Sequence, residues 1–250
     1  MENKILRMAG LQSLCLLFGC VIIMAFAHNQ KVTMIQVNRP ELETSSSNYE
    51  EDSYSFRVAI DPGHGGIDSG TLGIDHNCEE KEINLAVAKL VWKKIEEEPG
   101  IKVHLSRYDD RYLSPEERTK WLNSSNCDIC ISIHCNSADN LDATGVEVLY
   151  HGGSGGKKDS KELAERCLDA ILEQTSQINR GLLNGDSIYI IRNAKMPIAL
   201  IEVGFLSNQQ ELTFLRKYEN QVKIADGIVN AIKHMKERDN RNEKNSICNY

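Results

Sequence analysis

Two histidines and one glutamate in this chain stand at the ends of apolar runs, where such side chains can bind a metal or move protons. Asp61-Pro62-Gly63-His64-Gly65-Gly66 follows the apolar run Arg57-Val58-Ala59-Ile60, which reads as a strand. Pro62 closes that strand, and the glycines let the backbone bend tightly around His64. Cys130-Ile131-Ser132-Ile133 reads as a second buried strand and delivers His134. Ile198-Ala199-Leu200-Ile201 reads as a third and delivers Glu202. In an open α/β sheet, ligands sit outside the carboxyl ends of the strands, so these groups are expected to converge on one edge.

Two histidines need a third ligand and an open position to make a catalytic zinc site. Glu80, at the start of the helix after the His64 loop, is the candidate. Asn77 and Glu80 also have the spacing of a capping box, and on spacing alone capping is the stronger reading. Each histidine has an ordinary reading too: His64 bonded to backbone in a turn, His134 satisfied in the core. Their joint placement at strand ends favours ligands. A carboxylate after an all-apolar strand is costly to bury unless paired or put to use. Glu202 therefore reads either as an ion pair, with Lys195 as partner, or as a general base beside a metal.

The elements that must hold these groups alternate. Ile83, Val87, Leu90, Val91 and Ile95 recur at helical spacing, and Ile101 to Ser106 reads as a strand. Ser114-Pro115-Glu116-Glu117 is a helix start, with Ser114 as N-cap and Pro115 at the first position. Val146 to Tyr150 is a strand. Leu163, Cys167, Leu168 and Ile171 mark a helix, and Val222, Ala225, Ile228, Val229 and Ile232 mark the last one. This alternation predicts a single α/β domain over 56–237, a mostly parallel twisted sheet with helices on both faces.

The N-terminus differs. Lys4 and Arg7 precede Met8 to Ala27, a run with no charge and an Ala25-Phe26-Ala27 small-x-small pattern. About 20 apolar residues suffice to span a bilayer, so 1–27 reads as an uncleaved anchor or a cleaved signal. The positive flank stays inside and the domain is exported, extracytoplasmic. Residues 28–55 are polar and acidic and read as a linker, and 238–250 as a charged, frayed tail. A net charge of -7 and the lack of a basic patch interleaved with aromatics exclude nucleic acid as the obvious partner. Cys130 and Cys167 fall on core positions, where free cysteine behaves as a small hydrophobe. Cys127-Asp128-Ile129-Cys130 has CxxC spacing but enters a strand, which argues against a metal or redox role.

Together, Val58 to Gly66, Glu80-Lys81, Ser132-Ile133-His134-Cys135-Asn136 and Ile201-Glu202-Val203-Gly204-Phe205-Leu206-Ser207-Asn208 resemble the zinc-dependent N-acetylmuramoyl-L-alanine amidases of the amidase-3 type. Ser106-Arg107 with Asp110, Arg118 with Asn123, and Asp128 agree with that family's pattern. The resemblance implies one Zn2+ ion held by His64, Glu80 and His134, Glu202 as the catalytic carboxylate, and Asn136 and Arg107 as substrate-binding residues. Glu79 and Glu82 rival Glu80, but the residue before Lys81 is the family's ligand position. The family typically has a small residue where this chain has Cys135, whose thiolate could compete for the metal. The implied substrate is peptidoglycan, cut at the amide between N-acetylmuramic acid and L-alanine.

Family members held inactive often carry a helical insertion near the strand corresponding to Val146–Tyr150. The short link Gly152 to Asp159 predicts none here. With a membrane segment ahead of the domain and no wall-binding repeat, the chain is similar to spore-cortex, germination-associated members, located in the cell wall or cortex. The alternatives are a zinc peptidase on stem peptides, an inactive peptidoglycan-binding protein of the same fold, and a non-heme iron centre with the same ligand types. The sequence is silent on an activating partner.

Overall fold

The computed structural model describes residues 55–153 and 159–247, with side chains as far as Arg241. The segment read as anchor or signal and nearly all of the linker lie outside the described residues. Among those described, no helix is long and apolar enough to cross a membrane.

Six strands form one sheet: β1 (Phe56–Pro62), β2 (Ile101–Leu105), β3 (Ile129–Asn136), β4 (Val146–Tyr150), β5 (Asn179–Asn184) and β6 (Ile198–Phe205). Their order is β2-β1-β3-β6-β4-β5. The first four in that order run parallel, β4 is antiparallel to β6, and β5 is parallel to β4. The helices are α1 (Glu80–Ile95), α2 (Pro115–Ser124), α3 (Ser160–Thr175), α4 (Tyr189–Asn193), α5 (Gln209–Leu215) and α6 (Tyr218–Ile247).

The central strands are buried on both faces, which is why they read as continuous apolar runs. Ile60, Ile131, Ile133 and Ile201 face a large core with α1, α3, α5 and α6. Ala59, Cys130, Ile198 and Leu200 face a smaller one with α2 and α4. Helices thus cover both faces, as the alternation predicts.

Local signals place the helix ends. Ser114 Oγ accepts from Glu117 N at 3.2 Å while the Glu117 carboxylate accepts from Ser114 N, a complete capping box with Pro115 beside it. The expected Asn77–Glu80 box does not form. Asn77 turns back on Asp75, and α1 begins with no side-chain cap.

Three elements escape periodicity. β5 is an edge strand, Asn-Arg-Gly-Leu-Leu-Asn, without alternation and with Gly181 at φ 89°. Helices α4 and α5 are too short to show a period. The last helix also outruns its expected end at residue 237: α6 continues to Ile247, and Arg238 pairs with Asp159 (3.0 Å) and Glu162 (2.6 Å) beside α3. The helix therefore enters the segment expected as a tail, of which 248–250 lie outside the described residues. Between Tyr150 and Ser160 the link is as short as expected, and no helix occupies its described residues.

Register sets the site. Pro62 sits beside Ile133 and His134 beside Glu202. β1 and β3 lie either side of the point where strand order reverses, the place where such sheets bind ligands. Ile131, fully buried on β3, tests the larger core. Ile131→Ala is expected to lower stability by about 2–5 kcal/mol, read from the denaturant midpoint at unchanged slope.

Candidate active site

The loop after β1 takes backbone conformations that side chains rarely adopt: φ is 60° at His64, 134° at Gly65 and 58° at Gly66. Two buried arginines hold it. Arg107 donates through Nε to Pro62 O (3.0 Å) and through Nη2 to Gly63 O (2.9 Å) and Lys81 O (2.8 Å). Arg118 donates through Nη1 to Pro62 O (2.9 Å) and through Nη2 to His64 O. Arg118 is itself paired with buried Asp61 at 2.8 Å, which also accepts from Ser106 Oγ (2.5 Å) and Ser132 Oγ (3.0 Å). Burial opposes ionisation of Asp61, but Arg118 and Ser106 outweigh it and hold its carboxyl below the usual range. Gly63 and Gly70 are required by close approach. A Cβ at Gly63 would meet the His134 ring at 2.2 Å, and one at Gly70 would meet Glu80 Oε2 at 2.5 Å.

Glu80 draws the site together. Its Oε1 lies 3.1 Å from His64 Nε2 and 3.0 Å from His134 Nδ1. Oε1 also accepts from Cys135 N (3.0 Å) and Asn84 Nδ2 (3.2 Å), and Oε2 from Thr71 N (2.8 Å). Burial disfavours the Glu80 anion, yet the two histidines overcome it and hold its carboxyl well below the usual range. The ligand atoms of His64, Glu80 and His134 lie within 4.8 Å of one another. His64 Nδ1 meets Asp68 Oδ2 at 2.9 Å. A proton on Nδ1 bonded to Asp68 leaves the Nε2 lone pair facing inward, the usual way a carboxylate orients a ligating imidazole. Two inward-facing imidazoles and a fixed carboxylate are a fitting donor set for zinc. The rivals are placed otherwise: Glu79 pairs with Lys81 at 3.0 Å, and Glu82 is exposed.

Glu202 stands next to this triad. Its Oε2 is shut off from solvent and has no hydrogen-bond partner, and no ion pair to Lys195 forms; Lys195 is exposed. Burial pushes its carboxyl up to about 7, with Glu80 and Glu147 adding to the rise and His134 opposing it. A carboxylate with one oxygen buried and unpartnered, its pKa raised, beside this triad is a candidate functional group.

The remaining candidates divide. Asn136 borders the same cleft and donates to Glu147 Oε1 at 2.6 Å. Arg107 is not available to a substrate: it is fully buried, and backbone carbonyls take its guanidinium. Cys135 points into the core, its Sγ 3.5 Å from Asn84 Oδ1, and burial raises its thiol well above the usual value, so it does not join the ligands. Cys127 and Cys130 are buried free thiols. Asp110 braces the loop by accepting from Gly66 N and Lys81 Nζ, and Asp128 does so at the start of β1 by accepting from Arg57 N. Sequence reasoning missed Asp68 and Glu147. An acid four residues after His64 in the same loop was a usable signal for Asp68. Nothing in the sequence pointed to Glu147, which faces Glu202 only through the β4–β6 register.

A mostly parallel α/β sheet that gathers two imidazoles and two carboxylates at its ligand-binding edge is an arrangement suited to hydrolysis. Residues 58–234 match the Amidase_3 family, N-acetylmuramoyl-L-alanine amidase, and the chain belongs to that family. It is 38% identical over 175 residues to the uncharacterized protein YqiI of Bacillus subtilis (strain 168), covering 70% of this chain and 82% of that one. It is 32% identical over 189 residues to the germination-specific N-acetylmuramoyl-L-alanine amidase of the same organism, covering 70% of this chain and 77% of that one. The crystal structure of an N-acetylmuramoyl-L-alanine amidase from Clostridium difficile 630 matches with a TM-score of 0.69 at 36% identity, covering 73% of this chain and 97% of that one.

Arg118→Met leaves Asp61 buried without its partner and is expected to cost about 3–5 kcal/mol at neutral pH. A carboxyl depressed in the folded state contributes stability that is present above its ordinary value of 3.8 and lost as pH falls through the folded value. Urea midpoints measured against pH should therefore show the gap between wild type and variant narrowing in acid.

Proposed function

We propose that this chain hydrolyses the amide joining the lactyl group of N-acetylmuramic acid to L-alanine in peptidoglycan, with one zinc ion held by His64, Glu80 and His134 and with Glu202 as proton carrier. The observation that carries the reading is the orphaned Oε2 of Glu202 beside three converging ligand atoms. Membership of the amidase family supports the choice of bond.

When bound, zinc supplies a Lewis acid for the scissile carbonyl and makes a water acidic enough to attack near neutral pH. The protein's own groups do the rest. Asp68 fixes the His64 ring, and the arginine clamp fixes the loop that carries it. Glu202 takes the proton of the attacking water and hands it to the leaving alanine nitrogen. The poor hydration that raises its pKa makes it a stronger base than an exposed carboxylate. Asn136 is the proposed polar contact to substrate. A non-catalytic wall-binding protein has no use for a carboxylate kept buried at this cost.

Because peptidoglycan lies outside the cytoplasm, the reading supports an exported protein, with 1–27 as anchor or signal. Similarity to a germination-specific amidase supports action on spore cortex.

Glu202→Gln is expected to keep one zinc per chain while turnover falls about 10²–10⁴-fold. The products of wild type, read by mass spectrometry, should be stem peptides with a free L-alanine amino terminus. Zinc retention with near-normal turnover in the variant would overturn the role of Glu202. Unchanged peptidoglycan with wild type and bound zinc would favour the non-catalytic reading. The pH profile is a separate check. A base works above its pKa, so activity should fall tenfold per unit on the acid side, with a midpoint at or below about 7 because the cation favours the Glu202 anion. That limb should vanish from the residual activity of the Gln variant.

A further inference from the structure

Two concavities meet at the proposed centre. Both have His64, Asp68, His134 and Glu202 in their walls. One, of about 510 Å³, is polar beyond those residues, with Thr71, Asn136 and Ser137. The other, of about 340 Å³, lies between the start of α2 and the start of α4; Leu113, Pro115, Ile188 and Tyr189 line it, together with Asp61 and Arg118, which are paired with each other. Tyr189 is not consumed by the core, since 38% of it is exposed. The Arg192 guanidinium lies 5.8 Å from its ring centroid, and Asn193 Nδ2 donates to its carbonyl at 2.8 Å. The helix turn that carries Tyr189 is thus held, and its ring stands at the rim of a cavity rather than packed away.

An amide held at Glu202 and the metal ligands sends its acyl half one way and its amine half the other. The halves differ in what they need. The peptide half begins with a side chain of one methyl and continues as backbone amides, which lose free energy against aliphatic and aromatic side chains such as Leu113, Pro115, Ile188 and Tyr189 that offer them few hydrogen bonds. The acyl half carries a lactyl methyl, an N-acetyl methyl and the C–H face of a pyranose ring, all apolar surface suited to an aromatic and aliphatic wall.

We propose that the cavity between Leu113–Pro115 and Ile188–Tyr189 is the muramoyl subsite, with Tyr189 its specificity-determining residue, and that the stem peptide leaves through the polar concavity past Asn136. This rests on the amidase reading and adds a direction to it.

The test uses the full chain and two substrates with the same scissile amide: N-acetylmuramoyl-L-alanyl peptide, and the same peptide bearing a lactoyl group without the sugar. Tyr189→Ala is expected to reduce the preference for the sugar-bearing substrate about tenfold, chiefly through KM. It should also raise the inhibition constant of free N-acetylmuramic acid about tenfold. Tyr189→Phe, which keeps the ring, should stay close to wild type. Equal losses on both substrates, or a loss that tracks stem-peptide length, would overturn the assignment. If the lactoyl compound is not turned over at all, the inhibition constant decides. Wild type that cleaves neither substrate with zinc bound removes the amidase reading and this subsite together.

Discussion

The site depends on one carboxylate held in a dry place. Glu80 is almost fully buried at the first turn of α1, where an anion gains little from water. Its two oxygens are surrounded by the backbone N–H groups of Thr71 and Cys135, the Asn84 amide and the two imidazoles. Those partners come from the His64 loop, from α1 and from β3. Fixing Glu80 thus fixes the mutual placement of both histidines. The same enclosure makes its charge expensive, and the surrounding donors offset that cost.

Around it the electrostatics are unbalanced by design of the sheet. Glu80, Glu202, Asp68 and Glu147 crowd the carboxyl ends of the strands. Arg107 and Arg118 spend their donors on loop carbonyls and Asp61, and Arg180 is taken by Glu147 at 3.0 Å. The cluster therefore has more negative than positive charge facing the cleft, which suits a dication. Burial raises the Glu202 pKa and the neighbouring Glu80 and Glu147 add to the rise, while Glu80, in contact with both histidines, is held low.

Much of this could be read from residue order. His64, His134 and Glu202 each follow an apolar run, and runs of that kind became the central strands β1, β3 and β6. Glu80 was the hardest of the four, because a glutamate three residues after Asn77 fits a cap equally well; only the turn of Asn77 back to Asp75 separates the two. Arg107 misled for a related reason. An arginine near a glycine-rich loop looks free to meet a ligand, and nothing in the local sequence says that four carbonyls will converge on it. The edge strand β5 was invisible because it lacks a buried face. Pairings set by register, such as Glu147 with Glu202, join residues far apart in sequence and leave no local pattern.

The distance spanned by the ligands has a consequence for folding. His134 and Glu80 are 54 positions apart, and the β1–β3 contact of Asp61 with Ser132 spans 71. A cation bound there closes long loops across the sheet, the task that disulfides perform in many exported proteins. Here Cys78, Cys127, Cys130, Cys135 and Cys167 are buried free thiols and staple nothing. Metal supply and folding would then be linked by mass action: each tenfold rise in free ion above the dissociation constant would add about 1.4 kcal/mol to the folded state. An ion held by His64, Glu80 and His134 would thus act as a long-range crosslink, and starvation for it would lower the folded population as well as the rate of each folded molecule.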